Sequence, residues 1–189
     1  MLDEGVILRT GGRLQLPLLV QLVAHPLEHE LAAPELARRG VPVTGIELSP
    51  AMVAQLRRKV EGSARSAEVV QAPGEKLPFP DNSFDTVGFT YVLCTVPEPD
   101  AALREIARVL KPGGRLLFLE HVRSPEPGLA RWQDRLHGAW YVFGHGCNCN
   151  RDTLATLEAS PLEVEHADRG EIPGTVPLVK PMLVGSARR

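Results

Sequence analysis

The feature that most constrains this chain is a strand–helix–strand pattern between residues 84 and 120. The runs at 84–90 and 114–120 are short, rich in Val, Leu or Phe and bounded by Gly or Pro, which is typical of buried parallel strands. Residues 101–110 carry apolar side chains at helical spacing, and the KPGG sequence at 111–114 ends that helix. The pattern therefore predicts two parallel strands joined by a right-handed crossover.

Two more strands are predicted before this unit. Residues 67–71 form a third apolar run, and residues 43–48 form a fourth with Glu47 at its carboxyl end. Ser49 is suited to cap the following helix, and Pro50 is suited to its first position. These elements predict an α/β fold with a doubly wound, mostly parallel sheet.

Residues 1–41 give a weaker pattern. Residues 5–9 are predicted as a first strand, followed by a turn at 10–13 that contains Gly11 and Gly12. Residues 14–27 are Leu- and Pro-rich without a firm period, so they are assigned to an irregular insert or a short surface helix. Residues 29–39 contain helix formers and precede Gly40, which suits a helix end.

The segment after residue 122 is predicted to cover the sheet and close it. Helices are expected at 129–143 and 153–159, with a compact loop at 144–150 between them. Strands are expected at 162–167 and 179–187, where they would add an antiparallel edge to the sheet. The three segments 1–41, 42–122 and 123–189 are assigned to one domain.

Composition narrows the classes of function. The 189 residues suffice for one domain, and a net charge of -2 gives no electrostatic footprint for nucleic acid. Three cysteines do not make a secreted disulfide framework, and no apolar run is long enough for stable membrane insertion. A cytoplasmic protein is expected, and the sequence leaves its oligomeric state open.

A ligand crevice is expected at the carboxyl ends of the strands, where the strand order reverses. Glu47 lies at such an end, where a carboxylate can accept hydrogen bonds from both hydroxyls of a ribose. It also fits a helix-start carboxylate favoured by the helix dipole, and its position alone does not decide between these roles. The loop containing Gly74 and Glu75 and the segment 90–95 would line the same crevice.

Histidines and cysteines supply further candidates. His121 follows the strand at 114–120, and His137 and His145 come later; each has the intrinsic pKa of a general base, and each is also explained by a structural role. Cys147 and Cys149 with His145 lack a second ligand pair, so no metal site is predicted. Trp132 and Trp140 would either wall an apolar substrate pocket or pack in the core.

Several segments together resemble the class I S-adenosylmethionine-dependent methyltransferases. These are GIELSP, LPFPDNSFDTV and REIARVLKPGGRLLFLEHV. More narrowly, APGE, TYVLCTV, EHV and GCNCNRDTLATLE resemble the small methyltransferase-like family that includes alkyl-thiol S-methyltransferases. The resemblance covers residues 41 to about 158. It implies a seven-stranded sheet with helices on both faces, S-adenosylmethionine as cofactor and a small-molecule acceptor such as a thiol.

The resemblance also implies roles for individual residues. Cys147 and Asn148 would lie beside the substrate pocket, with Arg151 as a helix-start anchor. His121 is the candidate base for the acceptor. The cofactor-binding set, with Glu47 on the ribose, comprises Glu47, Leu48, Gly74, Glu75, Thr90, Tyr91 and Leu93, with Gly11 and Gly12 as the nearest match to the family's glycine loop.

The chain departs from the family at that glycine loop, which should carry an acidic residue and Gly-x-Gly-x-Gly after the first strand. A damaged upstream reading frame, a different loop or lost activity would each explain the departure. A nicotinamide-dependent oxidoreductase needs its own glycine motif, which is equally missing. A non-catalytic nucleoside-binding module is the more serious alternative.

Overall fold

A computed structural model describes residues 18–22, 42–61 and 67–189. Within them the strands form one seven-stranded sheet with the order β3-β2-β1-β4-β5-β7-β6. The strands are β1 Leu18–Leu22, β2 Val43–Glu47, β3 Ala67–Gln71, β4 Phe84–Thr90, β5 Leu110–His121, β6 Glu163–Glu171 and β7 Pro181–Arg188. The helices are α1 Pro50–Glu61, α2 Pro99–Val109, α3 Pro127–Phe143 and α4 Thr153–Glu158, and a 3-10 turn lies at Pro177–Val179.

The sheet is mixed, as the sequence predicts. Strands β1 to β5 pair in parallel, whereas β7 pairs antiparallel with both β5 and β6. The chain winds outward from β1 to β3 and then returns to β4 on the other side of β1. The strand order therefore reverses between β1 and β4, which is where open α/β sheets bind ligands.

Strand β1 corrects the prediction for the N-terminal segment. It lies at residues 18–22, inside the stretch assigned to an irregular insert or short helix, and it pairs with β2 and β4 at the centre of the sheet. The strand and helix predicted at 5–9 and 29–39 lie outside the described residues. In the sequence, Pro17 comes directly before this strand.

Gly11 and Gly12 were assigned to the glycine loop after the first strand, and the position of β1 removes the reason for that assignment. They also lie outside the described residues, but they precede β1 in the chain, so they cannot form the loop that follows this central strand. The segment that does follow β1 starts at residue 23. The sequence reasoning erred because a Leu-rich run with Pro and Gln at its edges has no period by which a strand is recognised.

The other elements agree with the sequence within a few residues. Helix α1 begins at Pro50, and the Ser49 carbonyl accepts from the Val53 N–H at 2.9 Å. Strand β5 is longer than predicted because it includes the KPGG sequence, and its register with β4 shifts between Phe84 and Thr86. Strand β6 likewise extends beyond residue 167, where the predicted strand ends.

The main core lies between the sheet and helices α2 and α4. Helix α2 buries one face and carries polar residues on the other, and its buried residues are Ala102, Leu103, Ile106, Ala107 and Val109. Ile106 and Leu157 belong to the same buried cluster as the central residues of β4 and β5. A second, smaller cluster lies at the carboxyl ends of β4 and β5 and contains Tyr91, Cys94, Cys147, Cys149, Ile172 and Val179.

Candidate functional site

The end of β2 places a buried carboxylate where a ligand would bind. Glu47 is 8% exposed, and its Oε1 accepts a hydrogen bond from the Ser49 N–H at 2.7 Å. Burial raises the pKa of Glu47 above its ordinary value, while the N–H groups of Ser49 and Leu48 oppose that shift. The Leu48 side chain is exposed next to it. The geometry is that of a carboxylate held by its own turn.

The loop after β3 lies against this end of β2. The Ala72 N–H donates to the Glu47 carbonyl at 3.2 Å, which continues the strand pairing by one residue. Gly74 is buried two residues further on, and Glu75 is partly buried, with its Oε1 3.5 Å from the Glu98 N–H. The structure thus places Gly74 and Glu75 in the loop next to the end of β2, which carries Glu47.

The turn after β4 is built around one buried carboxylate. Glu120 is completely buried near the end of β5, and its oxygens accept from the N–H groups of Val92, Leu93 and Cys94 at 2.5, 3.0 and 3.0 Å. Tyr91 begins this turn with a φ of 55°, a conformation that non-glycine residues seldom adopt. Glu120 therefore fixes the turn on which Thr90, Tyr91 and Leu93 were predicted to line the crevice.

Sequence reasoning missed Glu120. Burial raises its pKa to about 8, and the three N–H groups only partly counteract this cost. The available signal was a glutamate at the end of an otherwise apolar run, LLFLE, inside a strand predicted as buried. A carboxylate in such a place requires partners, although the sequence does not say that they are backbone N–H groups.

Two cysteines and a histidine come together beside this turn. The Nδ1 atom of His121 lies 4.0 Å from Cys94 Sγ and 3.7 Å from Cys147 Sγ, and all three ligand atoms lie within 4.8 Å of one another. The three residues are buried. The His121 ring also stacks on Tyr91 with a centroid separation of 4.2 Å.

The two thiols of this cluster have different acidities. The pKa of Cys147 is lowered, first by the neighbouring Cys94 thiol and then by His121. The pKa of Cys94 is raised well above its ordinary value, first by the neighbouring Cys147 and then by burial and the nearby Glu120. The two neighbouring thiols thus shift in opposite directions, with Cys147 the more acidic of the pair.

The loop 144–150 is fastened to the turn after β4. The backbone N–H and the side-chain amide of Asn148 both donate to the Cys94 carbonyl, at 2.7 and 3.0 Å. His137 Nε2 lies 2.9 Å from the Asn148 side-chain oxygen, so His137 orients this amide. Cys147 and Asn148, the two residues assigned to the substrate pocket, thus lie together at the carboxyl end of β4, next to the turn assigned to the cofactor.

The side chains of Arg151 and Gln133 add further hydrogen bonds to backbone carbonyls around this loop. Arg151 donates to the carbonyls of Leu93 and Val96 at 2.5 and 2.7 Å, so it anchors the turn after β4 and does not cap the helix. Asp152 caps α4 through the Ala155 N–H. Gln133 is fully buried, and its amide donates to the carbonyls of Val122, Cys149 and Leu178.

The two tryptophans of α3 have separate surroundings. Trp140 is partly buried and packs against the Cys94 and Cys147 cluster, as a pocket wall would. Trp132 is 56% exposed and lines a shallow hollow with Gly128, Arg131 and Arg135. Among the described residues, Trp132 is therefore not brought to the cluster.

The remaining histidine and cysteine candidates do not join the group of Cys94, His121 and Cys147. His145 is exposed in the loop, with a φ of 51°. The thiol of Cys149 is buried, and its pKa is raised to about 11 by burial and by the negative charge of Cys147. The grouping of His145 with Cys147 and Cys149 considered from the sequence is thus replaced by Cys94, His121 and Cys147.

Comparison with known proteins agrees with this architecture. Residues 29–118 match the family described as "Methyltransferase domain". A solved S-adenosylmethionine-dependent methyltransferase from Methanosarcina mazei superposes with a TM-score of 0.75 at 20% identity, over 100% of this chain and 99% of that one. The chain is thus similar to class I S-adenosylmethionine-dependent methyltransferases, whose cofactor is S-adenosylmethionine, and the superposition shows that it shares their fold.

Curated relatives include thiol and carbon methyltransferases. The human thiol S-methyltransferase TMT1B is 38% identical over 120 residues, which are 62% of this chain and 49% of that protein. The ubiquinone/menaquinone biosynthesis C-methyltransferase UbiE of Hahella chejuensis is 49% identical over 73 residues, or 39% of this chain and 29% of that protein. The chain thus spans about half or less of the length of these relatives.

Proposed function

We propose that this chain transfers the methyl group of S-adenosylmethionine to a small-molecule thiol. The observation that carries the proposal is the placement of buried Glu47 at the end of β2, beside the strand-order reversal, with the Cys94, His121 and Cys147 cluster at the ends of β4 and β5. A ribose diol on Glu47 would direct the rest of the cofactor along the strand ends towards that cluster. The similarity to thiol S-methyltransferases supports a thiol as the acceptor.

The proposed chemistry requires alignment more than activation. The sulfonium makes the methyl carbon electrophilic, and an acceptor thiolate is a strong nucleophile, so the protein has to align the two and exclude water. The turn fixed by Glu120 would define the cofactor side, and Trp140 with Asn148 would border the acceptor. His121 is the predicted base; because its Nδ1 faces two sulfurs, accepting a proton from the acceptor would fall to Nε2.

The three cysteines are free, which suits the reducing cytoplasm that we propose as the site of this reaction. Among the described residues, none of the helices combines the length and apolar character that crossing a membrane requires.

Titration and turnover on the same preparation test the proposal. S-adenosylmethionine and S-adenosylhomocysteine are titrated calorimetrically into the chain, and methyl-labelled cofactor is then supplied with an alkyl thiol or the matching alcohol. Binding followed by label in the thioether, and none in the ether, is expected. Binding without transfer would favour the non-catalytic nucleoside-binding module. An absence of binding to either ligand would overturn both functions.

A further inference from the structure

We propose that Cys94, His121 and Cys147 form a three-ligand site for a thiophilic divalent cation of the zinc class, with its fourth position open to the sulfur of the acceptor. The metal site stands on the geometry alone, whereas the place of the acceptor rests on the proposed thiol methyl transfer. Neither the sequence, which predicts no metal, nor the family comparison assigns this site.

The distances between the ligand atoms fit such a cation. With zinc bonded to sulfur at about 2.3 Å and to nitrogen at about 2.0–2.1 Å, a tetrahedral site separates its donor atoms by roughly 3.5–3.8 Å. The two sulfurs lie 3.7 and 4.0 Å from His121 Nδ1. Small side-chain rotations are therefore enough to place the three atoms around one ion.

The surroundings hold the three ligands in place. The backbone of Cys94 is held by Glu120 through its N–H and by Asn148 through its carbonyl. Asn148 also fixes the position of the neighbouring Cys147, and the His121 ring stacks on Tyr91. Side chains held by second-layer hydrogen bonds and ring contacts are what a metal site needs for tight binding.

The donor set indicates the type of metal and of site. Two thiolates and one imidazole suit zinc, and three protein ligands leave one position for water or substrate, as in catalytic zinc sites. Within the described ranges no fourth His, Cys, Asp or Glu joins the group. Cation binding would release the Cys94 thiol proton to solvent, since thiols bind metals as thiolates.

An acceptor thiol would displace the water at the fourth position, release its proton to solvent and remain there as a thiolate. Its sulfur then forms a bond to the methyl carbon while the carbon–sulfonium bond breaks, and that electron pair stays on S-adenosylhomocysteine. The negative thiolate and the positive sulfonium both become neutral, and the thioether product is a weak ligand that water replaces. In this arrangement His121 is a ligand and not the base predicted from the sequence.

Cobalt substitution tests the site without relying on activity. The full chain is reduced, stripped with chelator, and titrated with Co²⁺ while the visible and near-ultraviolet spectra are recorded. We expect one ion per chain, with intense tetrahedral bands and a thiolate-to-cobalt charge-transfer band. Each of Cys94→Ala, Cys147→Ala and His121→Gln should weaken binding by more than about 100-fold, since loss of even a second-layer partner costs 10- to 100-fold.

Matched controls come from the same loop. Cys149→Ala and His145→Gln remove the other cysteine and histidine and should leave the spectrum unchanged. If they abolish it while Cys94→Ala does not, or if the reduced wild type shows no charge-transfer band, the proposal is wrong. If circular dichroism shows that a ligand variant does not fold, cysteine alkylation of the wild type tests the site instead. Zinc should slow the labelling of Cys94 and Cys147 relative to Cys149. Equal protection of all three cysteines would contradict the site.

The acceptor's position is tested on the cobalt form without cofactor. Adding an alkyl thiol should increase the charge-transfer band, and the matching alcohol should not. An unchanged spectrum would overturn acceptor coordination and leave the stoichiometry result standing. Failure of methyl transfer itself would appear only in the separate turnover assay.

Discussion

The ends of β2 and β5 each carry a buried glutamate, and the two differ in what they bind. Glu120 is enclosed completely, and its oxygens are used by three N–H groups of another segment. Glu47 is 8% exposed, and its described partners are the N–H groups of the two residues that follow it. A carboxylate has about four acceptor positions. Glu47 therefore has acceptor positions left for a ligand, whereas most of those of Glu120 are used by backbone N–H groups.

The largest expected effect is on stability and comes from Glu120→Ala. The substitution leaves the N–H groups of Val92, Leu93 and Cys94 buried without their acceptor, and each unmade bond costs about 1–3 kcal/mol. The free energy of unfolding should fall by at least about 3 kcal/mol, measured by urea denaturation. Glu120→Gln keeps an acceptor oxygen and should lose less. Equal losses for both variants would contradict the role of the turn's N–H groups.

Glu47→Ala should give the reverse result, with binding lost and the fold kept. Two charge-assisted hydrogen bonds to a ribose diol are worth about 1.5–3 kcal/mol each, so S-adenosylmethionine should bind at least about 100-fold more weakly by calorimetry. The urea midpoint should change little, because Ser49 and Leu48 are the only described partners and their N–H groups are near the surface. If S-adenosylmethionine binds Glu47→Ala as tightly as the wild type, the ribose assignment is wrong.

Arg151 reinforces the turn that Glu120 holds, from the other side. Arg151→Met should remove the bonds to the Leu93 and Val96 carbonyls and lower the free energy of unfolding by about 2 kcal/mol. Arg151→Lys should recover only part of this loss, because one ammonium group lacks the planar fork that reaches both carbonyls. Full recovery by lysine in urea denaturation would show that charge alone accounts for the effect.

The surroundings of Glu47 and of Glu120 are not equally predictable from the sequence. Strands β3 and β4 agree residue for residue with the predictions, because short apolar runs bounded by Gly or Pro are local signals. Glu47 likewise lies buried at the end of its strand, where the sequence placed it, and its role on a ribose stays a prediction. Strand β1 was missed because its five residues carry no period, and only their pairing with β2 and β4 makes them a strand.

Features that depend on distant partners were not predictable. The grouping of Cys94, His121 and Cys147 comes from three different segments that the sheet brings together, whereas the sequence suggested neighbours such as Cys149. Trp132 was a candidate for a pocket wall or the core, yet it is exposed, and the buried positions of α3 are Ala130 and Gln133. Periodicity identifies a helix face but not the surface that the face contacts.

The smallest expected effect is the pH dependence of cofactor binding, which follows from Glu47. Only the ionised carboxylate can accept from both hydroxyls, and burial raises its pKa above the ordinary 4.5. Affinity for S-adenosylmethionine should therefore be constant above that raised pKa and fall as pH drops through it, by up to about tenfold per pH unit below it. Glu47→Gln should bind weakly with no dependence in this range. A midpoint below 4.5 in the wild type, or the same acid limb in the glutamine variant, would assign the proton to another group.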